Sequence, residues 1–194
     1  MTVSFQAIHV NRALRMASAN AGPMTLAEAT AALASKRLLQ PVVVADTQDN
    51  LQANLAGLQK IAASGKLSSV SFTQGDAELQ FNAQQLSAST ALVNKLSENN
   101  QTVKVVDRAS NMARVASRIQ TSFDVSVQDS AAQVQTNLMG LQSLVAAGKL
   151  DQINFTDANT PTVTFKAAQF ANMGALRAML GNATLAVSDT AANV

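Results

Sequence analysis

The strongest constraint on the fold is an internal repeat. Residues 42–67 align without a gap with residues 125–150, at a constant offset of 83 residues. The aligned identities include apolar, acidic and glycine positions, and both segments end in Gly-Lys-Leu. Self-similarity at a fixed period is typical of repeat architectures, in which each unit buries its apolar face against its neighbours. The sequence therefore predicts tandem repeats of about 83 residues.

The repeat divides the chain into three segments. Residues 1–41 form an N-terminal cap or anchor segment, residues 42–124 the first repeat, and residues 125–194 the second. The second copy is shorter than the first at its C-terminal end. We therefore expect that the chain is part of a longer array, or that another chain completes this end.

Short β-branched runs alternate with longer apolar patterns of helical spacing. Strands are predicted at 42–45, 70–73, 102–106, 123–127, 153–156 and 184–187. Helical spacing relates four sets of apolar residues: Leu51, Leu55, Leu58 and Ile61; Leu86, Val93 and Leu96; Val134, Leu138, Leu141 and Leu144; and Phe170, Met173, Leu176 and Leu180. Strands that alternate with helices imply β-α-β crossovers. We therefore predict an α/β fold with a largely parallel sheet and a solenoid-like arrangement of the repeats.

Two details of this fold follow from the alignment. The branched and leucine positions shared by the two copies are expected to form the stacking core: Val42, Val44, Leu55, Leu58, Val125, Val127, Leu138 and Leu141. The short segments 79–81 and 163–165 follow a turn after the second strand of each copy. We favour a short hairpin there, and the alternative is a simple lead into the next helix.

A row of acidic residues marks the strand ends. Four aspartates each end a predicted strand and a fifth follows one: Asp46, Asp107, Asp129 and Asp189, and then Asp157. Parallel strands place these ends on one edge, about 4.8 Å apart. A row of carboxylates suits Ca²⁺, a hard cation that takes six to eight oxygen ligands. The alternative is that each aspartate caps the helix that follows its own strand.

The repeat also places Asn54 and Asn137 at one position within the main helices, where asparagine is not favoured by propensity. A side-chain ladder between stacked units and a polar surface contact are both open explanations. The choice between them depends on which side chains the neighbouring unit brings close.

The composition excludes several classes of chemistry. The chain has no cysteine, so disulfides, zinc–thiolate sites and cysteine nucleophiles are excluded. Its single histidine, His9, lies in a weakly patterned segment, and no nucleotide-binding or hydrolase motif occurs. The net charge of +2 is too small for a nucleic-acid footprint. We therefore predict a protein that is not an enzyme and does not bind nucleic acid.

The N-terminal 41 residues are mildly basic. This segment contains one acidic residue, Glu28, and four basic residues: Arg12, Arg15, Lys36 and Arg37. This excess suggests a surface-anchoring segment that binds cell-surface glycan or lipopolysaccharide, and the alternative is an ordinary scatter of charge. The N-terminus lacks the uninterrupted apolar core of a secretory signal, and no apolar run reaches transmembrane length. Export would therefore use a route without a cleavable N-terminal signal, or a signal outside this chain.

The repeated motifs resemble a known class. The pattern V-x-D-(T/S) closes strands at 44–47, 127–130 and 187–190, and N-L-x-G-L-Q occurs at 54–59 and 137–142. Over about residues 42–194, these units resemble repeats of very large proteobacterial proteins that are often exported by the type I route. The resemblance implies an extracellular or cell-surface location and an adhesin-like or surface-layer-like role. Such proteins often carry calcium-binding modules, which this chain lacks.

Overall fold

The computed structural model describes residues 22–74 and 78–190. The chain divides into two compact units. The first contains the described residues up to Leu79 together with Ser89–Gln101, and the second contains Gln80–Ala88 and the chain from Thr102 onward. This division does not test the repeat boundaries at residues 42 and 125, which stay predictions.

The described residues form ten helices and eight strands. The helices are α1 (Leu26–Ala34), α2 (Gln48–Ala53), α3 (Leu55–Ala63), α4 (Ala83–Ala88), α5 (Thr90–Glu98), α6 (Ala109–Val115), α7 (Ala131–Thr136), α8 (Leu138–Ala146), α9 (Ala167–Asn172) and α10 (Gly174–Met179). The strands are β1 (Val42–Asp46), β2 (Leu67–Phe72), β3 (Leu79–Phe81), β4 (Val103–Asp107), β5 (Asp124–Asp129), β6 (Gln152–Phe155), β7 (Thr162–Phe165) and β8 (Thr184–Val187).

The strands belong to three sheets, ordered β1-β2, β3-β4-β5-β6 and β7-β8. The pairs β1–β2, β4–β5, β5–β6 and β7–β8 are all parallel, and the described strands close no barrel. The predicted α/β class with parallel strands is therefore confirmed. All six predicted strand segments also lie within or overlap an observed strand.

The predicted hairpins are wrong. Segments 79–81 and 163–165 do form strand, as β3 and β7. However, β3 bonds to β4, and β7 pairs in parallel with β8. Each short strand therefore joins the strand that follows it across a helical connection. Parallel pairing requires such a connection, because a tight turn can only join antiparallel strands.

The predicted long helices are each broken into two short ones. The breaks fall at Asn54, Ser89, Asn137 and Met173, where φ lies between −107° and −114° and ψ between 13° and 37°. This backbone conformation is not helical, so each break redirects the chain while the apolar spacing continues across it. In the two aligned segments, α2 and α7 have the same bounds after the 83-residue offset, and so do α3 and α8.

The core is aliphatic. All eight residues expected to form the stacking core are buried, and Val44, Leu58, Val125, Val127 and Leu141 have no measurable exposure. In the first unit α3 packs against α1 and α5, and in the second unit α8 packs against α6 and α10. Each parallel pair is therefore backed by helices, as the buried faces of parallel sheets require.

Candidate functional site

The five strand-end aspartates share one hydrogen-bonding pattern, and we call them the carboxylate clamps. In each, one carboxylate oxygen (Oδ2) accepts the backbone N–H of the first residue of an earlier helix. The donors and N···O distances are Leu26 to Asp46 at 3.0 Å, Ala83 to Asp107 at 2.8 Å, Ala109 to Asp129 at 3.0 Å, Ala131 to Asp157 at 2.7 Å and Ala167 to Asp189 at 3.0 Å. Because the first N–H groups of a helix have no partner within the helix, each clamp satisfies a donor that would otherwise need water.

In four of the five clamps, the second carboxylate oxygen (Oδ1) accepts a hydrogen bond from the neighbouring residue. Oδ1 of Asp46, Asp107, Asp129 and Asp189 accepts the N–H of the next residue in the chain. Two of these oxygens also accept a side-chain amide, from Asn50 to Asp46 at 2.8 Å and from Asn111 to Asp107 at 2.9 Å. A clamp thus holds the end of its strand and the start of a different helix at one carboxylate.

This geometry corrects the expectation that each aspartate caps the helix after its own strand. The N-cap of α2 is Thr47, whose side chain accepts from Asn50 N–H, and the N-cap of α7 is Ser130. The helix that an aspartate clamps lies 20 to 26 residues earlier in the chain. The clamps therefore link successive strand–helix segments instead of stabilising single helices.

The clamps do not assemble into a metal centre in the part of the chain that the structure describes. No group of three or more acidic or histidine side chains comes together there with the geometry to hold a metal ion. Each clamp oxygen Oδ2 accepts a backbone N–H. Calcium binding by Asp46, Asp107, Asp129, Asp157 and Asp189 stays a prediction.

The hydrogen bonds lower the pKa of two clamps. The Asn50 amide, with the N–H groups of Leu26 and Thr47, lowers the pKa of Asp46 against the opposing effect of burial. For Asp107, burial raises the pKa, but donors from Asn111, Arg108 and Ala83 together outweigh it, so the net pKa is lowered. Donors that face a carboxylate favour its charged form. Both clamps are therefore held as anions.

A second set of links lies at the other end of the helices. Gly65 and Gly148 end α3 and α8 with positive φ values of 70° and 64°, which glycine adopts without steric cost. The lysine after each glycine reaches back to a distant backbone carbonyl: Lys66 Nζ to Leu39 O at 2.6 Å, and Lys149 Nζ to Ala116 O at 3.1 Å. The repeated Gly-Lys-Leu thus ends a helix and ties it to an earlier turn. The sequence shows the recurrence but not the carbonyl partner.

The repeated asparagines have a local role. Asn54 Nδ2 donates to Asn50 O at 3.0 Å, and Asn137 Nδ2 donates to Gln133 O at 2.8 Å. Each amide therefore bonds a carbonyl of the preceding short helix at the helix break. Neither the ladder between units nor a contact with a partner surface is needed to explain the repetition.

The repeated glycines lie where helices pack closely. A Cβ on Gly140 of α8 would lie 2.9 Å from Ala113 Cβ of α6, which is closer than two carbon atoms can approach. A Cβ on Gly57 of α3 would lie 3.3 Å from Thr30 Oγ1 of α1. Gly140 thus requires the smallest residue because of the neighbouring helix, and Gly57 lies in a tight contact, although neither has a positive φ.

One open groove lies beside a clamp in the first unit. It has a volume of about 490 Å³ between α1 and the α2–α3 break, and Asp46, Asn50, Asn54, Thr30 and Gly57 contribute to its lining. Its carboxylate and two asparagine amides already bond to one another or to backbone. The groove therefore brings together no nucleophile and base.

The strand β8 has an open edge, because no strand among residues 22–74 and 78–190 pairs with it on the side away from β7. Thr184 and Ser188 N–H donate to the carbonyls of Pro161 and Phe165 in and beside β7, so these amides face β7. Because donors alternate along a strand, the amides of Leu185 and Val187 face away from β7. Both side chains are exposed, at 36% and 43%. Two of the four large exposed apolar side chains among the described residues thus lie on this one strand.

The proposed anchoring residues are only partly placed. Arg12, Arg15 and His9 lie outside the described residues. Lys36 and Arg37 are exposed in the turn that ends α1, where Lys36 has a positive φ of 57°. Surface anchoring through these four basic residues stays a prediction.

No protein-family model, curated protein or solved structure matches this chain. No helix of the described residues has the length and apolarity needed to cross a lipid bilayer.

Proposed function

We propose that this chain is a structural repeat module of a bacterial extracellular or cell-surface protein. Its role is self-assembly, or a scaffold for a surface layer or adhesin. In this proposal the βα units are tandem repeats that stack in a solenoid-like array. The resemblance of the V-x-D-(T/S) and N-L-x-G-L-Q motifs to repeats of large proteobacterial surface proteins supports the location.

The recurring carboxylate clamps carry the proposal. Five aspartates at equivalent strand ends each bond the start of another helix, and their pattern is the same from Asp46 to Asp189. In repeat proteins stability comes from nearest-neighbour interfaces between units. Side chains used in this way serve construction, and the groove beside Asp46 brings together no nucleophile and base. A non-catalytic structural role fits this use of the acidic residues.

Negative-stain electron microscopy of the purified chain tests the proposal. Images are taken in chelator and then in millimolar calcium, and filaments or two-dimensional sheets are expected. Assembly that appears only with calcium would make the clamp residues candidate ligands. Monodisperse small particles in both conditions would contradict self-assembly.

A matched pair of variants shows whether assembly uses the open strand edge. Val187→Lys places a charge on β8, and charges are a common means of blocking strand edges. Leu39→Lys makes the same change at another exposed apolar residue, whose side chain is 60% exposed. We expect Val187→Lys to abolish assembly and Leu39→Lys to leave it unchanged. Equal behaviour of the two variants would remove the edge from the proposal.

A further inference from the structure

We propose that the open edge of β8 receives, in parallel, the leading strand of a further repeat unit that follows the pattern of β5. This inference rests on the proposed function and names the partner of the edge. The molecule contains a template for this pairing, because β4 occupies the position in the first copy that β8 occupies in the second.

The clamps align the two strands. Asp107 ends β4 and bonds the first residue of α4, and Asp189 follows β8 and bonds the first residue of α9. Counting back from these aspartates places Leu185 at the position of Val103, and Val187 at the position of Val105. The correspondence therefore rests on matching hydrogen bonds as well as on sequence.

Burial at these paired positions differs sharply. Val103 and Val105 are 1% and 0% exposed, whereas Leu185 and Val187 are 36% and 43% exposed. In the template, β4 packs against α4, and β5 pairs with β4 in parallel so that Val105 lies opposite Val125. A strand of the β5 type would lie beside Val187 as Val125 lies beside Val105.

The edge itself has no protection against pairing. Natural edge strands are usually guarded by charged residues, proline or a bulge. The four residues of β8 are Thr184, Leu185, Ala186 and Val187, which include no charge and no proline, and the pairing with β7 has no register shift. The outward amides of Leu185 and Val187 are thus available to a parallel strand.

One contact distinguishes the incoming strand from β5. Lys104 of β4 forms an ion pair with Asp124 of β5 at 3.2 Å, and these residues are directly opposite. Ala186 takes the place of Lys104 in β8. An aspartate opposite Ala186 would lose its cationic partner, so we infer an uncharged residue at that position of the incoming strand.

The test uses cross-strand disulfide trapping, because the chain has no cysteine of its own. The full chain carries Val187→Cys. The probe is a synthetic peptide with the sequence of residues 121–131 in which Asp124→Thr removes the charge and Val125→Cys supplies the thiol. Paired residues on neighbouring strands lie about 4.8 Å apart, which a disulfide can bridge. A control peptide carries Ser126→Cys in place of Val125→Cys, which puts its thiol on the opposite face.

We expect the Val125→Cys peptide to form the mixed disulfide in about fivefold excess over the Ser126→Cys peptide. Equal trapping of both peptides, or of neither, would overturn the proposal. A dominant Val187→Cys homodimer would also overturn it, because a second copy's β8 would then occupy the edge.

Hydrogen exchange of the unmodified chain provides a second measurement that does not depend on the variant. The peptide with Asp124→Thr alone should slow exchange of the Leu185 and Val187 amides, and unchanged exchange would contradict the proposal. The proposed function is tested separately by microscopy. Filaments without peptide trapping would refute only the inferred pairing of β8 with a strand of the β5 type. Peptide trapping without filaments or sheets would refute only the proposed self-assembly.

Discussion

At the residue scale, one side-chain type recurs in the long-range hydrogen bonds, the clamp aspartate. A clamp aspartate ends a strand or lies two residues beyond it, so the strand positions its backbone for the hydrogen bond between its carboxylate and another helix. Asp129 is buried to 8% exposure, with Ala109 N–H at 3.0 Å and Ser130 N–H at 2.9 Å. Hydrogen bonds to charged groups contribute about 1.5–3 kcal/mol. The clamps therefore stabilise the order of the segments as well as the helix termini.

The lowered pKa of Asp46 predicts a pH dependence of stability. A carboxylate whose pKa is lower in the folded than in the unfolded state stabilises the fold at pH values above the unfolded pKa. The ordinary value is 3.8, so this contribution is complete above that pH and is lost as the pH falls through the lowered folded value. We expect the free energy of unfolding to fall as the pH drops below about 4.

Urea denaturation across this pH range measures the effect. Asp46→Asn should be less stable than the parent near neutral pH and should lose less stability on acidification. Asp49→Asn removes the same charge from an exposed position in the first turn of α2 and serves as the control. If Asp46→Asn and the parent had parallel pH profiles, the clamp would contribute nothing through its charge.

At the element scale, the paired short helices are the recurring device. Four breaks share one backbone conformation although their residues are Asn54, Ser89, Asn137 and Met173. Side-chain identity therefore does not by itself cause the break. The two asparagines stabilise it by bonding a carbonyl four residues earlier. The break permits the second helix of each pair to pack against helices from neighbouring segments.

Close helix packing predicts opposite effects for two Gly→Ala substitutions. Gly140→Ala should destabilise the protein by about 1–3 kcal/mol, because the new methyl group overlaps Ala113 and the packed helices must separate. Gly174→Ala meets only the end of the Arg177 side chain at 3.7 Å, so alanine's helix propensity should stabilise α10 by about 0.5 kcal/mol.

Thermal unfolding of the two variants against the parent checks this pair. The prediction fails if Gly140→Ala melts at or above the temperature of the parent. Gly174→Ala controls for the general effect of adding a methyl group to a helical glycine.

At the scale of the whole molecule, each of the two units depends on an aliphatic core with few aromatic residues. Aromatic residues make up 4% of the chain, and most fully buried large side chains are Leu, Ile or Met. Leu138 is 3% exposed at the start of α8, whereas its neighbour Met139 is 65% exposed. These adjacent residues therefore allow a matched comparison of core and surface.

Leu138→Ala should lower the free energy of unfolding by about 2–5 kcal/mol, because a buried large-to-small change loses transfer free energy and leaves a cavity. Met139→Ala should change it by less than about 0.5 kcal/mol. Chemical denaturation of both variants measures the difference. An unchanged unfolding midpoint for Leu138→Ala would contradict its place in the core.

The parts of the fold that depend on local pattern could be predicted from the sequence. Val42, Val44, Val125 and Val127 were expected in buried strands and are buried, because alternation and β-branching act within a few residues. The helix breaks could not be predicted, since the spacing of Leu51, Leu55, Leu58 and Ile61 is the same for a straight and a broken helix. The hydrogen-bond acceptor of Lys149 could not be predicted from the sequence either, because Ala116 O is a backbone atom and any residue has one.

The sequence by itself determined the α/β class, the strand positions, the aliphatic core and the recurrence of its polar residues. Only the tertiary structure decided what those polar residues contact. Asp46 and its counterparts bond helices 20 to 26 residues away, and β3 and β7 pair forward across a helix instead of backward in a hairpin. The physical reason is that the periodicity of apolar residues indicates which side of an element is buried. The partner of a carboxylate or of a strand edge depends instead on which distant segment the packed chain brings within hydrogen-bonding distance.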